Sequence, residues 1–356
     1  MEFHIDFNWQ IQTETGTHAL DPLLLHLLAA INEHGALQQA ARQLNVSYRH
    51  AWGMMEKWQQ LFGLPLIEKQ RGRGTRLAPA GQYLLQAHQH LQARLLPQLS
   101  NQATQLRHQL QQLQAASQPH RLKIFASHGL AVGALQRQLL QQEIAVDLHF
   151  HGSLESLQAL NAGDCDIAGF HIPVGELGRQ MAPDYLRLLN SQTITLIYLV
   201  RRQQGLMLAA GNPLNIQSLA DLQNPQLHFI NRQRGSGTRL LLDQLLKAQQ
   251  IDPTHVHGYV QEEFTHMAVA AMIASGAADC GFGIAAVVQK FALDFLPLCE
   301  EHYCLAIPQN RMQDNAVQAM LKTLQGAEWR QPLHGLSGYD LSQSGQTVRF
   351  SDIFGH

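Results

Sequence analysis

Apolar residues recur at helical spacing early in the chain and in short continuous runs later, a change of period that predicts two kinds of domain. From Asp21 to about His34, Leu24, Leu27, Leu28 and Ile31 share one helical face, with Pro22 tolerated in the first turn. Gly35 breaks this run, and Ala36 to Leu44 reads as a second, shorter helix. Asn45-Val46 makes the turn, and Ser47 caps a third helix that extends to about Phe62. Short helix, tight turn and capped helix predict a helix-turn-helix with the third helix as reader. Its first turn exposes Ser47, Tyr48, Arg49 and His50 to base edges and phosphates, whereas Trp52, Met55 and Trp58 are assigned to the core. Leu66 to Lys69 and Thr75 to Leu77 are expected strands around a basic, glycine-rich tip. Arg71 and Arg73 on that tip suit phosphate or a minor groove, which makes the unit winged; an ordinary exposed loop is the plainer alternative.

A polar, glutamine-dense stretch follows from Gln82 to Pro119. Leu99, Ala103, Leu106, Leu110 and Leu113 alternate by four and three residues, a seam that suits helix pairing between two copies or packing on the same chain. Pro97 is expected to kink or interrupt it. Beyond Pro119 short strands alternate with helices, the pattern of an α/β domain. Leu122 to Ala126 ends at Ser127-His128-Gly129, and Ile144 to Phe150 ends at His151-Gly152-Ser153, each followed by a helix. In parallel sheets ligands collect at such strand ends. Thr193 to Arg202 and Gly205 to Ala210 read as two extended runs that leave one lobe for another, and Phe295 to Ile307 leads back. Two lobes joined by crossing segments form a cleft.

The chain has 356 residues, more than one ordinary core accommodates. No apolar run reaches the roughly 18 residues of a spanning helix, and Met1-Glu2-Phe3-His4 lacks the order of a secretory signal, so a cytoplasmic protein with no membrane partner is expected. Cys165, Cys280, Cys299 and Cys304 have no paired spacing and are expected as reduced thiols. The near-neutral net charge of −2 conceals a basic window from Arg42 to Arg76, the footprint of nucleic acid or of a merely solvated face. The many histidines, among them the pairs His149/His151 and His255/His257, lack carboxylate or thiol partners at ligand spacing, so no metal site is assigned. Ser127-His128 has no nucleophile elbow around it, and no enzymatic activity is expected.

The most informative chemistry lies at Asn231-Arg232-Gln233-Arg234-Gly235-Ser236-Gly237-Thr238, between the apolar run Leu227 to Ile230 and a helix from Arg239 to Gln250. Two arginines, two glycines and two hydroxyls ahead of a helix bring positive charge and free donors to one point, which suits an oxyanion. A bare Ser-Gly-Thr is an ordinary cap; Arg232 and Arg234 tilt the reading toward a ligand site.

The N-terminal strings Gly35-Ala36-Leu37-Gln38-Gln39-Ala40-Ala41, Val46-Ser47-Tyr48-Arg49-His50-Ala51-Trp52 and Leu77-Ala78-Pro79-Ala80-Gly81 resemble the DNA-binding domain of LysR-type regulators and, more closely, of the ModE type. From about residue 120 to 345 the chain resembles the type 2 periplasmic-binding-protein fold in its molybdate- and tungstate-binding branch. Ala126-Ser127-His128, His151-Gly152-Ser153-Leu154, the Asn231 to Arg239 string, Glu263-Phe264-Thr265-His266 and Gly338-Tyr339-Asp340 carry that likeness. The resemblance implies a winged helix-turn-helix domain over residues 1–82, a linker and dimerisation helix over 83–118, and a two-lobed α/β oxyanion-binding domain over 119–356. It implies a one-component regulator that binds a double-stranded operator as a homodimer or higher homo-oligomer and senses molybdate or tungstate, with no cofactor. Its ligand donors would be Ser127 and Ser153 from the first lobe, Arg232, Arg234, Ser236, Gly237 and Thr238 from the second, with Thr265 and Tyr303. Gly129 stands where that branch leads one to expect an acidic residue. A tetrahedral dianion offers only acceptors, so its site is expected to hold donors and no carboxylates. The alternative is a LysR-like regulator of a small organic carboxylate, for which the same donors would serve.

Overall fold

The computed structural model describes Phe3 and residues 5–14, 16–70, 74–113 and 121–355. The chain folds as two compact units, one over Ile5–Gln92 and one from Ala93 to the C-terminus. Among the described residues no helix is long and apolar enough to cross a membrane.

The first unit opens on an antiparallel hairpin, β1 (Gln10–Thr13) and β2 (Gly16–Ala19), which the sequence reading missed. Three helices follow: α1 (Pro22–His34), α2 (Leu37–Gln43) and α3 (Tyr48–Phe62). Their ends fall where the cap residues lie. Asp21 Oδ1 accepts from Leu23 N at 2.9 Å, and Ser47 Oγ accepts from His50 N at 3.1 Å, satisfying amides that the first turn leaves free. The apolar faces of α1 and α3 meet in one core, where Leu24, Leu27, Met55 and Trp58 are buried. Strands β3 (Ile67–Gln70) and β4 (Gly74–Leu77) form the wing as an antiparallel pair. Helix α4 (Pro79–Leu113) starts directly after it and runs on through Pro97 rather than stopping there. Gly81 is obligatory at that junction, because a Cβ would sit 2.1 Å from the carbonyl oxygen of Leu66.

The second unit is built on a sheet with ten described strands. Its first lobe contains β5 (Leu122–Ala126), α5 (Leu130–Gln141), β6 (Val146–Phe150), α6 (Ser153–Ala162), β7 (Ile167–Pro173) and α7 (Glu176–Leu186). Strands β5, β6 and β7 are parallel, so their carboxyl ends and the starts of α5 and α6 share one edge. The two extended runs expected after Thr193 are one 15-residue strand, β8 (Ile194–Leu208). The second lobe holds β9 (Phe229–Arg232), α8 (Gly237–Ala248), β10 (Glu262–Glu263), α9 (His266–Ala274) and β11 (Cys280–Ile284). Strand β12 (Asp294–Pro308) returns antiparallel to β8 along its whole length, with register shifts at Pro297/Cys299 and Tyr303/Cys304. Since β8 borders β11 at one end and β12 borders β7 at the other, these two strands tie the lobes together. Helices α10 (Asn315–Gln325) and α11 (Ala327–Arg330), the short strands β13 (Tyr339–Asp340) and β14 (Thr347–Val348) on β8, and helix α12 (Phe350–Phe354) complete the first lobe. Apolar clusters line both faces of the sheet in the first lobe: Leu199, Leu305 and Trp329 on one side, Phe170, Tyr185 and Phe354 on the other.

From Ala93 onward α4 belongs to the second unit and is docked by polar contacts. Arg107 and Arg121 both bond the buried Asp147 carboxylate on β6. Asn101 brackets the Phe150 backbone, accepting from its N–H at 3.0 Å and donating to its carbonyl at 3.4 Å. On the other lobe Thr265 Oγ1 donates to the Ala93 carbonyl at 2.8 Å, and Arg94 Nη1 lies 3.7 Å from Glu263 Oε1. Of the seam residues, Leu106 and Leu110 remain exposed while Ala103 is buried.

Removing one partner of a buried ion pair leaves a desolvated charge without compensation. Asp147→Asn is therefore expected to lower the unfolding free energy of the chain by about 3 kcal/mol, read from urea denaturation. A loss under about 0.5 kcal/mol would show the arginines to be solvated after all.

Candidate ligand cavity and reader helix

On α3, Ser47, Tyr48, Arg49 and His50 are all exposed, as expected of a reader turn. Ser47 Oγ is engaged in the cap, and the Tyr48 ring stacks on Trp52 with centroids 6.4 Å apart. Trp52 is half-buried, while Met55 and Trp58 are fully in the core. On the wing, Arg76 is paired to Glu68 at 2.7 Å; Arg71 and Arg73 lie outside the described residues.

In the second unit a cavity of about 180 Å³ opens between the lobes. The first lobe contributes Ser127 and His128 after β5, Phe150, His151 and Gly152 at the end of β6, and Glu155 in the first turn of α6. The second contributes the loop Arg232 to Ser236 and Phe264. Both halves thus end at helix starts, where Ser236 caps α8 by accepting from Arg239 N at 3.2 Å. Ser127 Oγ is buried without a hydrogen-bond partner among the described residues, and the Ser127 carbonyl accepts from Tyr303 Oη at 3.1 Å.

Arg232 dominates the electrostatics. It is 4% exposed; Nε donates to Gln233 Oε1 at 3.2 Å and Nη2 to the Phe264 carbonyl at 2.9 Å, while Nη1 has no partner among the described residues. Burial, and then the nearby Arg202, pull its pKa down to about 9. Arg202 itself is neutralised by Glu301: both side chains are 1% exposed and in direct contact. Burial opposes the Glu301 carboxylate, yet Arg202 outweighs it and holds its pKa below the ordinary value. Arg234 differs, with a side chain 76% exposed at the cavity mouth and 3.9 Å from Glu262.

The histidines nearest this charge are neutral. Burial, reinforced by Arg232, lowers the pKa of His128 to about 4, and that of His266 well below its usual value. His171 falls to about 4, again chiefly by burial.

The expected donors do not all line the cavity. Ser127, Arg232, Arg234 and Ser236 do; Ser153, Gly237, Thr238, Thr265 and Tyr303 do not. Ser153 Oγ is taken up by His171, accepting from its N–H and pairing with Nδ1, each at 3.2 Å. Gly237 abuts the same ring, where a Cβ would lie 2.2 Å from Nε2. Thr238 Oγ1 accepts from Gln204 Nε2 at 3.4 Å. Thr265 caps α9, accepting from Ala268 N at 3.0 Å, and donates to α4. Tyr303 is spent on the Ser127 carbonyl and lies under the Arg202 guanidinium, 5.1 Å from ring centroid to Cζ. The expectation of a carboxylate-free lining is also corrected, because Glu155 is present. Its carboxylate accepts from Gly152 N at 3.3 Å and lies 3.2 Å from His151 Nδ1, the local bonding that a residue at the third helical position makes.

Sequence reasoning did not assign His128, Phe150, His151, Gly152, Glu155, Gln233, Gly235 or Phe264 to the lining. The signal for Gly152 was its place before α6: a Cβ there would lie 2.6 Å from the Gly235 carbonyl oxygen of the other lobe. Among the described residues no cluster of His, Cys, Asp or Glu is arranged to hold a metal ion.

The family model of the bacterial regulatory helix-turn-helix protein, lysR family, matches residues 23–82, and that of the PBP superfamily domain matches residues 133–325, more than half of the chain. The chain is 34% identical over 199 residues to the uncharacterized protein YvgK of Bacillus subtilis, a match covering 56% of this chain and 64% of that protein's length. It is 36% identical over 110 residues to an uncharacterized protein in the ferredoxin 2Fe-2S gene 5' region of Clostridium pasteurianum, covering 31% of this chain and 97% of that one. It is 39% identical over 93 residues to the molybdenum transport protein ModE of Herbaspirillum seropedicae, covering 25% of this chain and 35% of that protein. The matched helix-turn-helix family is described as regulatory. The chain belongs to the PBP superfamily and, ahead of that domain, carries a bacterial regulatory helix-turn-helix of the lysR family.

Proposed function

We propose that the protein is a one-component transcription regulator that binds operator DNA through α3 as a homodimer and senses a tetrahedral oxyanion, molybdate or tungstate, in the cavity between its lobes. The observation that carries the ligand class is the buried Arg232 guanidinium, whose Nη1 has no partner among the described residues. A desolvated cation of this kind is stabilised by an anion that accepts from it. Ser127 Oγ and the start of α8 add donors at the same place. The volume of about 180 Å³ favours a compact inorganic anion over an organic carboxylate, whose pockets commonly reach about 300 Å³ or more. The name of the Herbaspirillum relative, a molybdenum transport protein, points to the same chemistry. The exposed leucines Leu106 and Leu110 on α4 supply a seam for the dimer.

The test is calorimetry with molybdate, tungstate and sulfate, paired with binding to duplexes that the protein selects from a random-sequence pool. Arg232→Met should weaken the tightest oxyanion about 100-fold and, by removing an uncompensated buried charge, should not lower the melting temperature of the free chain. Arg234→Ala, at the exposed mouth, should cost less than about tenfold. Arg49→Ala should reduce DNA affinity and leave oxyanion binding intact. Absence of any oxyanion binding tighter than about millimolar would sink the sensing claim.

Gly152 lies against the Gly235 carbonyl of the other lobe, where a Cβ would be 2.6 Å from its oxygen. Gly152 has φ −70°, which alanine adopts freely, so Gly152→Ala obstructs only this approach between the lobes. Oxyanion affinity should fall about tenfold or more; wild-type affinity in this variant would show that ligand binds without this approach.

Closure reaches the reader through α4, because Phe150 and Phe264 line the cavity while Asn101 grips Phe150 and Thr265, beside Phe264, grips Ala93. Thr265→Ser, which keeps cap and donor, should behave as wild type. Asn101→Ala should bind oxyanion and DNA separately yet lose most of the effect of one on the other. Full coupling in Asn101→Ala would place the transmission elsewhere.

A further inference from the structure

A second cavity, of about 490 Å³, lies on the far side of His128, which lines both spaces. Its character is the opposite of the first. Leu130, Met267, Val287, Leu333 and Leu336 supply an aliphatic wall, of which Val287 and Leu333 are fully buried. At its rim stand two cations, Arg137 from the first lobe and Lys290 from the second, with Gln289 beside them and no Asp or Glu among the described lining residues. The Arg137 guanidinium folds back over the cavity: its Nη1 lies 3.6 Å from where a Cβ on Gly133 would be. Beneath Gly129, Nη1 of buried Arg202 is 3.5 Å from the corresponding point. The volume is in the range of about 300–1,000 Å³ typical of small-molecule pockets.

We propose that this cavity is a second ligand site, taking a small aliphatic carboxylate whose chain lies along the leucines and whose head is met by Arg137 and Lys290. No Phe, Tyr or Trp is among the described lining residues, so an aromatic ligand finds no broad ring face to stack on. Both lobes contribute to it, and His128 lines this cavity and the first one. An occupant therefore bears on lobe closure and on the position of His128, which makes it an effector of the oxyanion site; that last consequence, alone, rests on the oxyanion reading.

Hexanoate is the probe, titrated into the full-length chain by calorimetry, with hexan-1-ol as its uncharged counterpart. Hexanoate should bind saturably below about 10 mM and hexanol more weakly. Arg137→Ala combined with Lys290→Ala should weaken hexanoate about tenfold, both residues being exposed and without a structural role in the core. Gly133→Leu fills the cavity from within helix α5, where leucine is a better helix former, and should abolish hexanoate binding without lowering the melting temperature. Arg232→Met should leave hexanoate binding unchanged. No saturable binding, or displacement of hexanoate by molybdate one for one, or its loss in Arg232→Met, would overturn the second site. Saturating hexanoate should change the molybdate dissociation constant at least about threefold, with the reciprocal change in its own. Equal constants would overturn the effector role. If molybdate does not bind at all, the fault lies with the oxyanion reading, and the hexanoate measurements still decide the site.

Discussion

A guanidinium sealed from water without a carboxylate of its own is the constraint around which the ligand-binding domain is arranged. Arg232 has two of its donors tied to Gln233 and the Phe264 carbonyl, both neutral, so its charge is oriented but not cancelled. The neighbourhood respects that charge. Arg202 is already neutralised by Glu301, and the surrounding imidazoles of His128, His171 and His266 are held in the uncharged form. Adding a proton to any of them would put like charge beside Arg232 in a medium of low dielectric. The positive potential is thus concentrated on one side chain, with a hydroxyl and a helix start beside it. Glu155 does not spoil this, because its carboxylate is held by the Gly152 amide at the cavity's edge.

Much of this was legible in the sequence because it is local. The cap at Ser47, the break at Gly35 and the leucine spacing of α1 depend on residues within one or two turns, and α1 to α3 lie within a residue or so of where those signals put them. The string from Arg232 to Ser236 was equally plain, since charge, glycine and hydroxyl sit side by side on a strand-to-helix turn. The arrangement of β8 and β12 as two long shared strands was only half visible, because Gln203 and Gln204 interrupt an apolar run that the sheet nevertheless carries through.

What was hidden is how each hydroxyl is spent. Ser127 and Ser153 occupy equivalent strand ends, and nothing in their neighbours distinguishes them. Only the fold sets His171 of β7 against Ser153 and so removes it from the cavity, while leaving Ser127 Oγ without a partner among the described residues. Thr265 and Tyr303 lie outside the cavity lining for the same reason: their partners, Ala93 and the Ser127 carbonyl, lie 172 and 176 residues away along the chain. Gly152 and His128 escaped notice because a close approach between lobes leaves no periodic trace.

The docking of α4 follows from helix geometry and explains why losing Thr265 to it is informative. The contacts to the second lobe are at Ala93 and Arg94, and those to the first begin at Asn101. The stretch of α-helix from Ala93 to Asn101 separates them by about 12 Å, and Pro97 within it, lacking an N–H, leaves the Ala93 carbonyl free to accept from Thr265. A helix attached to both lobes restricts how far those attachment points can separate. Any ligand that changes how closely the lobes approach must therefore either release one attachment or carry the helix with the moving lobe. Phe150 is itself gripped by one of these contacts and Phe264 adjoins the other, and both residues line the cavity. An element attached to both lobes at fixed points along one helix is the physical route by which a change in one lobe's position is felt by the other.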